Sequence, residues 1–411
     1  MKNFYGWRIV YTLAITNILS YGILYYTFSV FVEPMEHELG WSRAQTSLGA
    51  SIALLVSGMI APLLGKWVDR HGARLLMTAG SIFGTLLMFL WANVHNLYLY
   101  YLLWALMGLA WGAVLYEVTF TVVSQWFKKN RSKAFLTITL IAGLASTVFI
   151  PTATWLRDTL GWREALQVLG VVLGLGTILP HFLVVRRRPE DLGLTVDGLP
   201  EESSTSTQAT PTLNGKTALK SPVFWWLTVG FTLLACNVVA LGAHMVPLLT
   251  ERGFSSGMVA AAAGGLGLMA LPGRAIFAPL SNKMPTLTLT IVTIFLQGLA
   301  LLVLLNVPGL VGLWTFVVLL GMSNGAATLA RASVIAELFD SKSYGVINGT
   351  MVAMSSWPKA LFPVFIGVLY SVWHGYTPVL WLMAGLSLLA CLTVWWAQKS
   401  KNQPAALAAG D

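Results

Sequence analysis

Predominantly apolar stretches of about twenty residues recur along the chain, and charged residues cluster in short stretches between them. A helix needs about 20 predominantly apolar residues to cross the hydrocarbon core of a bilayer. Twelve segments meet this length: 7–32, 46–68, 75–93, 98–126, 134–156, 165–185, 222–248, 257–281, 286–305, 309–338, 345–371 and 377–397. The pattern predicts an all-α integral membrane protein with 12 transmembrane helices. The opening "MKNFYGWRIV" runs directly into a stretch too long for a signal-peptide core, so the first helix is expected to remain.

The chain also matches itself at a shift of 213 residues. "EPMEHELGWS" (33–42) meets "VPLLTERGFS" (246–255), pairing Pro34 with Pro247, Glu38 with Glu251, Gly40 with Gly253, Trp41 with Phe254 and Ser42 with Ser255. The same shift carries Gly108 and Gly112 onto Gly321 and Gly325, and Trp126 onto Phe339. Two six-helix halves related by such a repeat are the layout of secondary transporters with a central site. The expected division is an N-terminal bundle at 1–186, a cytoplasmic linker at 187–221 that includes the Ser/Thr-rich "EESSTSTQAT", a C-terminal bundle at 222–397 and a cytoplasmic tail at 398–411.

Composition agrees with the pattern. The chain of 411 residues is 56% hydrophobic and 10% charged, with a mean hydropathy of +0.72, whereas about a quarter of the residues in a soluble domain are charged. A net charge of +9 raises the question of nucleic acid. The placement of the charges answers it: 18 of the 25 Lys and Arg fall at the amino terminus, in even-numbered loops such as "GKWVDRHGAR", "KKNRSK" and "RRRPED", or in the carboxyl tail. Arg43, Arg157, Arg163 and Arg252 fall on the opposite side. The positive-inside rule then puts both termini in the cytoplasm of a cell inner (plasma) membrane. The two cysteines, Cys236 and Cys391, lie within spans and indicate neither a disulfide nor a metal site. No cofactor is expected. Phosphate-binding loops, metal clusters and nucleophile triads are not found in the sequence, which argues against an enzyme.

The chain resembles the major facilitator superfamily through "GKWVDRHGAR" (65–74) between spans two and three. More narrowly it is similar to the monocarboxylate and oxalate/formate transporter branch, in "YGWRIV", "ELGWSR" (38–43), "WFKKNRSKA" (126–134), "RRPEDLGL" (187–194) and an arginine within "LPGRAIFAPLSNK". The resemblance implies the major facilitator fold, with pseudo-twofold halves and spans 3, 6, 9 and 12 outside a cavity formed by the others. The sequence departs from the pattern at Gly72-Ala73-Arg74, where a second basic residue is usual, and at Asn282, where an aspartate is common. A third departure is Glu117, where the branch tends to carry an amide.

Four ionisable residues lie deep in spans: Glu117, Arg274, Arg331 and Lys359. A charge at the centre of a membrane helix costs roughly 2.5–3.5 kcal/mol on insertion scales and generally marks a substrate or proton pathway. Three cations against one acid favour an anionic substrate. The resemblance implies that Arg274 binds substrate, and a guanidinium matches a carboxylate with two parallel hydrogen bonds. Glu117 is the only acid of the four and is the expected proton carrier; burial favours its neutral form and a neighbouring cation its charged form. Shifted by 213, Glu117 meets Ala330, the neighbour of Arg331, so the two can face one another across the pathway or form a structural ion pair.

Lys359 either lines the cavity, where Pro358 and Pro363 are expected to unwind a turn, or pairs locally. Tyr25, Tyr26 and Tyr116 offer rings and hydroxyls to a substrate, or simply pack. His244 either titrates near neutrality or bonds locally. The resemblance implies that the loop signature, Gly65, Asp69, Arg70, Gly72 and Arg74, gates the conformational change, with Asp69 and Arg70 pairing with charged groups or helix ends and Gly65 and Gly72 permitting tight turns or close helix approach. Gly108, Gly112, Gly321 and Gly325 have the spacing of close helix contacts.

The function expected is proton-coupled symport of a small organic anion such as a monocarboxylate, by alternating access; the partners are that anion, protons and lipid. The alternatives are efflux of drugs or toxic compounds, and anion exchange.

Overall fold

Backbone N–H and C=O groups find no water in the hydrocarbon core, so a spanning segment must pair them internally, as a helix does. The computed structural model, which describes residues 4–199 and 215–402, forms 12 membrane-length helices among those residues. They are α1 (Tyr5–Leu39), α2 (Arg43–His71), α3 (Arg74–Ala92), α4 (Leu97–Trp126), α5 (Arg131–Leu160), α6 (Trp162–Val184), α7 (Pro222–Glu251), α8 (Ser256–Leu280), α9 (Thr286–Asn306), α10 (Gly309–Leu338), α11 (Tyr344–Trp373) and α12 (Tyr376–Asn402). At three of the starts a side chain caps the helix. Ser42 and Gln45 form a reciprocal capping box at α2, Asn96 accepts from the first turn of α4, and Ser221 precedes Pro222 at α7.

Three helices depart from regular geometry. In α1, Tyr21–Tyr26 is a π-helical turn, closed by the Thr27 N–H donating five residues back to the Gly22 carbonyl. In α4 the helix stops at Val114 and restarts at Tyr116, with Leu115 extended (φ −88°, ψ −167°). In α5 the break falls at Gly143 and Leu144. By contrast, α11 runs through Pro358 and Pro363 without interruption, which corrects the unwound turn expected at Lys359. A proline removes one donor and crowds one carbonyl, and a membrane helix can absorb both with local adjustment.

Contacts divide the chain into two units. The first holds α1–α6 together with residues 340–353, and the second holds α7–α10, α12 and the rest of α11 from Met354. The division differs from the sequence boundaries because the first turns of α11 pack on α2 and α4. The expected linker is also partly structured: 3₁₀ turns at Pro189–Leu192 and Val196–Gly198 belong to the first unit. There Asp197 accepts from the backbone N–H groups of Lys128, Lys129 and Asn130 at 2.6–3.0 Å. The Ser/Thr-rich stretch lies outside the described residues, as does the tail beyond Asn402.

The pairings within each unit repeat. In the first, α2 packs on α4, α3 on α4 and α6, and α1 on α6; in the second, α8 packs on α10, α9 on α10 and α12, and α7 on α12. Cores of Phe31, Trp91 and Trp104 in one unit and Leu301, Phe316 and Met383 in the other fill the spaces between these helices. The repeat reaches single atoms. Glu38, ending α1, accepts from the Trp162 indole at 2.5 Å and from Arg163 at 2.9 Å at the start of α6. Glu251, its counterpart ending α7, accepts from the Tyr376 N–H at the start of α12 at 3.0 Å.

Candidate functional site

In the first unit the site grows from the break in α4. Leu115 interrupts the helix, and Glu117 falls in the first turn of the new segment. The leading N–H groups of a helix lack intrahelical partners and carry partial positive charge, so this turn is a favourable place for a carboxylate inside the membrane. Glu117 Oε2 accepts from the Asn348 side-chain amide at 2.5 Å. The two residues border a cavity of about 10 Å³ with Leu64, Gly65, Gly112 and Gly349, about the smallest space that holds one water.

Next to Glu117, Tyr116 lies 4.5 Å from Tyr21 between ring centroids and stacks on Phe120 at 5.0 Å. The π turn gathers Tyr21, Tyr25 and Tyr26 on one side of α1, with Tyr25 at 5.1 Å from both Tyr26 and Trp111. Tyr25 remains 40% exposed. Sequence reading had singled out Tyr25, Tyr26 and Tyr116; it missed Tyr21, whose position relative to the others depends on the widened turn.

The loop signature is split by the fold. Asp69, 8% exposed, accepts from the backbone N–H groups of Gly345 at 3.0 Å and Val346 at 2.9 Å. These are in the first turn of α11, so the carboxylate caps a positive helix end. Gly65 and Gly345 touch backbone to backbone, and a Cβ on Gly345 would come within 2.5 Å of the Gly65 carbonyl and 2.8 Å of Asp69 Oδ1. Gly72 turns the chain in the left-handed region at φ 81°. Arg74 is held elsewhere: its Nε donates to the Phe182 carbonyl at 2.6 Å and its guanidinium lies over the Phe182 ring, at the end of α6. Arg70 is exposed at the end of α2.

Gly345, Asn348 and Gly349 were missed in the sequence. The Gly-xxx-Gly spacing in "YGVINGT" was the available signal. The internal repeat does not carry it, since the shift of 213 puts Ser132, Phe135 and Leu136 at these positions.

The second unit contains the cations. Arg274 on α8, Arg331 on α10 and Lys359 on α11 are each half-buried. Lys359 is near enough to Cys236 on α7 to act on it electrostatically. Gly273, beside Arg274, meets the α10 backbone at Met322, and Gly325 meets the α8 backbone at Ala270, so α8 and α10 are in close contact in the turn that precedes the arginine. His244 is a local bonding residue. Its Nε2 donates to the Pro363 carbonyl at 2.9 Å, which leaves Nδ1 to accept from the Tyr376 hydroxyl at 3.0 Å.

The sequence model of the Major Facilitator Superfamily matches residues 13–363. The chain belongs to the Major Facilitator Superfamily. It is 25% identical over 389 residues to monocarboxylate transporter 13 of Bos taurus, covering 94% of this chain and 87% of that one. Among solved structures, the human organic anion transporter MFSD10 (TETRAN) has a TM-score of 0.71 at 15% identity, covering 95% of this chain and 99% of its own. FucP, the E. coli fucose:proton symporter, solved in the outward conformation, has a TM-score of 0.72 at 12% identity, with coverages of 94% and 98%. This Major Facilitator Superfamily chain is thus a multi-pass membrane transporter, in a family of transporters rather than enzymes.

Proposed function

We propose that this transporter carries a small organic anion, with a monocarboxylate as the model substrate, together with a proton. The observation that carries the reading is the distribution of charge in the spans. The single deep acid, Glu117, lies at a helix break with a hydrogen-bonding partner, while the three deep cations, Arg274, Arg331 and Lys359, belong to the other unit. An anion satisfies the excess positive charge, and a proton on Glu117 changes that excess by one.

In this reading Arg274 holds the substrate carboxylate through its planar fork, and Arg331 and Lys359 add positive potential. Tyr25, Tyr26 and Tyr116 bear on the body of the substrate. Glu117 gains and loses the proton. Asp69, with Gly65 and Gly72, sets the stability of one conformational state, and Arg70 and Arg74 support that end of the bundle. The transporter resides in the cell inner membrane with both termini cytoplasmic, as its Lys and Arg distribution favours. The names of the relatives support the substrate class and the coupling: a monocarboxylate transporter, an organic anion transporter and a fucose:proton symporter.

The test is uptake of labelled lactate and short dicarboxylates into proteoliposomes, with and without an inward proton gradient, for the wild type and Arg274→Ala. Gradient-driven uptake by the wild type that falls tenfold or more in the variant is the expected result, about the worth of one charged hydrogen-bond pair. If no acid is taken up under either condition, the reading gives way to export of a bulkier compound.

A further inference from the structure

We propose that Asn348 is the positioning residue of Glu117, holding the carboxylate through its amide N–H and the protonated carboxyl through its amide C=O. The inference rests on the reading of Glu117 as proton carrier. It starts from two facts about one side chain. Asn348 is 1% exposed and its Nδ2 donates to Glu117 Oε2 at 2.5 Å. Its Oδ1, equally buried, has no hydrogen-bond partner among the described residues. An ionised carboxylate only accepts, so the amide must present its N–H₂ to it, and the carbonyl is left over. A buried acceptor without a donor leaves its desolvation uncompensated.

A donor for that carbonyl arises when Glu117 is protonated. The carboxylate takes H⁺ from a hydronium ion of the aqueous pathway and releases water; the new O–H then donates to Oδ1 once the amide has turned about its last torsion. Loss of the proton to water reverses both steps. The terminal torsion of asparagine is broad and roughly two-fold, and the surroundings leave space for the turn. The bordering cavity is lined by four glycines, Gly65, Gly112, Gly345 and Gly349, alongside the apolar Ala61, Leu64 and Val118.

The neighbouring carboxylate provides the contrast. Asp69 on α2 is held at the same end of α11 by two backbone N–H groups, which donate and never accept, so they favour the charged form and give the O–H of the neutral form no acceptor. Asn348 serves both forms. Tyr21 on α1, whose phenol is felt at Glu117, and Tyr116 on the same turn are the other titratable groups near the pair in the first unit. Through Asn348, the protonation state of Glu117 is coupled to the first turns of α11, the segment that Asp69 also grips.

The experiment is pH-difference infrared spectroscopy of the full chain in lipid, which detects a protonated carboxyl by its C=O stretch and needs no substrate. The wild type should show a band that disappears in Glu117→Gln. In Asn348→Leu, which keeps the bulk and removes the amide, and in Asn348→Ala, that band should move to higher wavenumber, as a carboxyl that has lost its hydrogen bond does. Asn348→Gln, which keeps the amide, should leave it closer to the wild-type position. An unshifted band in both Leu and Ala variants overturns the role of Asn348 and leaves Glu117 as carrier. Absence of a Glu117-dependent band in the wild type overturns the carrier reading itself.

Discussion

At the residue scale, a charge in the membrane is held only where something compensates its desolvation. Glu117 has the start of a helix segment and the Asn348 amide. Glu117→Gln keeps the shape and removes the exchangeable proton, so it should abolish uphill uptake while sparing exchange of labelled for unlabelled substrate. Persistence of proton-driven accumulation in this variant would contradict the assignment. Arg274→Lys keeps a positive charge and loses the fork; it should recover only a small part of the uptake lost in Arg274→Ala, measured in the same vesicles. Glu38 ties the end of α1 to Trp162 and Arg163 of α6. Glu38→Ala should lower stability by about 1 kcal/mol, since it takes the acceptor from the Trp162 indole N–H while Arg163 keeps the Ala92 and Val94 carbonyls, read as a fall in Tm in detergent.

At the scale of elements, close approach matters more than hydropathy. Lipid tails are as apolar as the helix surfaces, so packing depends on how near two backbones come. At Gly345 the first turn of α11 lies against the Gly65 carbonyl and the Asp69 carboxylate. Gly345→Ala puts a methyl group there, and a fall in stability of about 1–3 kcal/mol is expected, again visible in Tm; an unchanged Tm would mean that the contact is loose. Pro358 is the opposite case. The helix is already continuous through it, so Pro358→Ala should preserve or raise Tm. The bends of this protein lie elsewhere, at Leu115, at Gly143–Leu144 and in the π turn of α1, and Leu115 carries neither of the usual breakers, glycine or proline.

At the scale of the whole molecule, transport requires that no one arrangement be too stable. Asp69 caps the first turn of α11, so weakening that cap should alter the rate of cycling more than the affinity for substrate. Asp69→Asn, which retains the shape and loses the charge, is expected to slow turnover while leaving equilibrium binding of lactate intact; loss of binding itself would refute a gating role. The sequence by itself determined the twelve spans, the repeat and the four deep charges, because chain hydropathy and the cost of burying a charge are set by residues adjacent in the chain. It also brought out Glu38 and Glu251 as counterparts, since the repeat preserves helix ends. Only the tertiary structure decided that Glu117 meets Asn348, 231 residues away, and that Asp69 meets Gly345, 276 residues away. It decided too that Arg74 turns to Phe182 and that Tyr21 joins Tyr116. Those pairings depend on which helix surfaces approach and on turns that widen or break, and such distances are not written in the order of residues along any one helix.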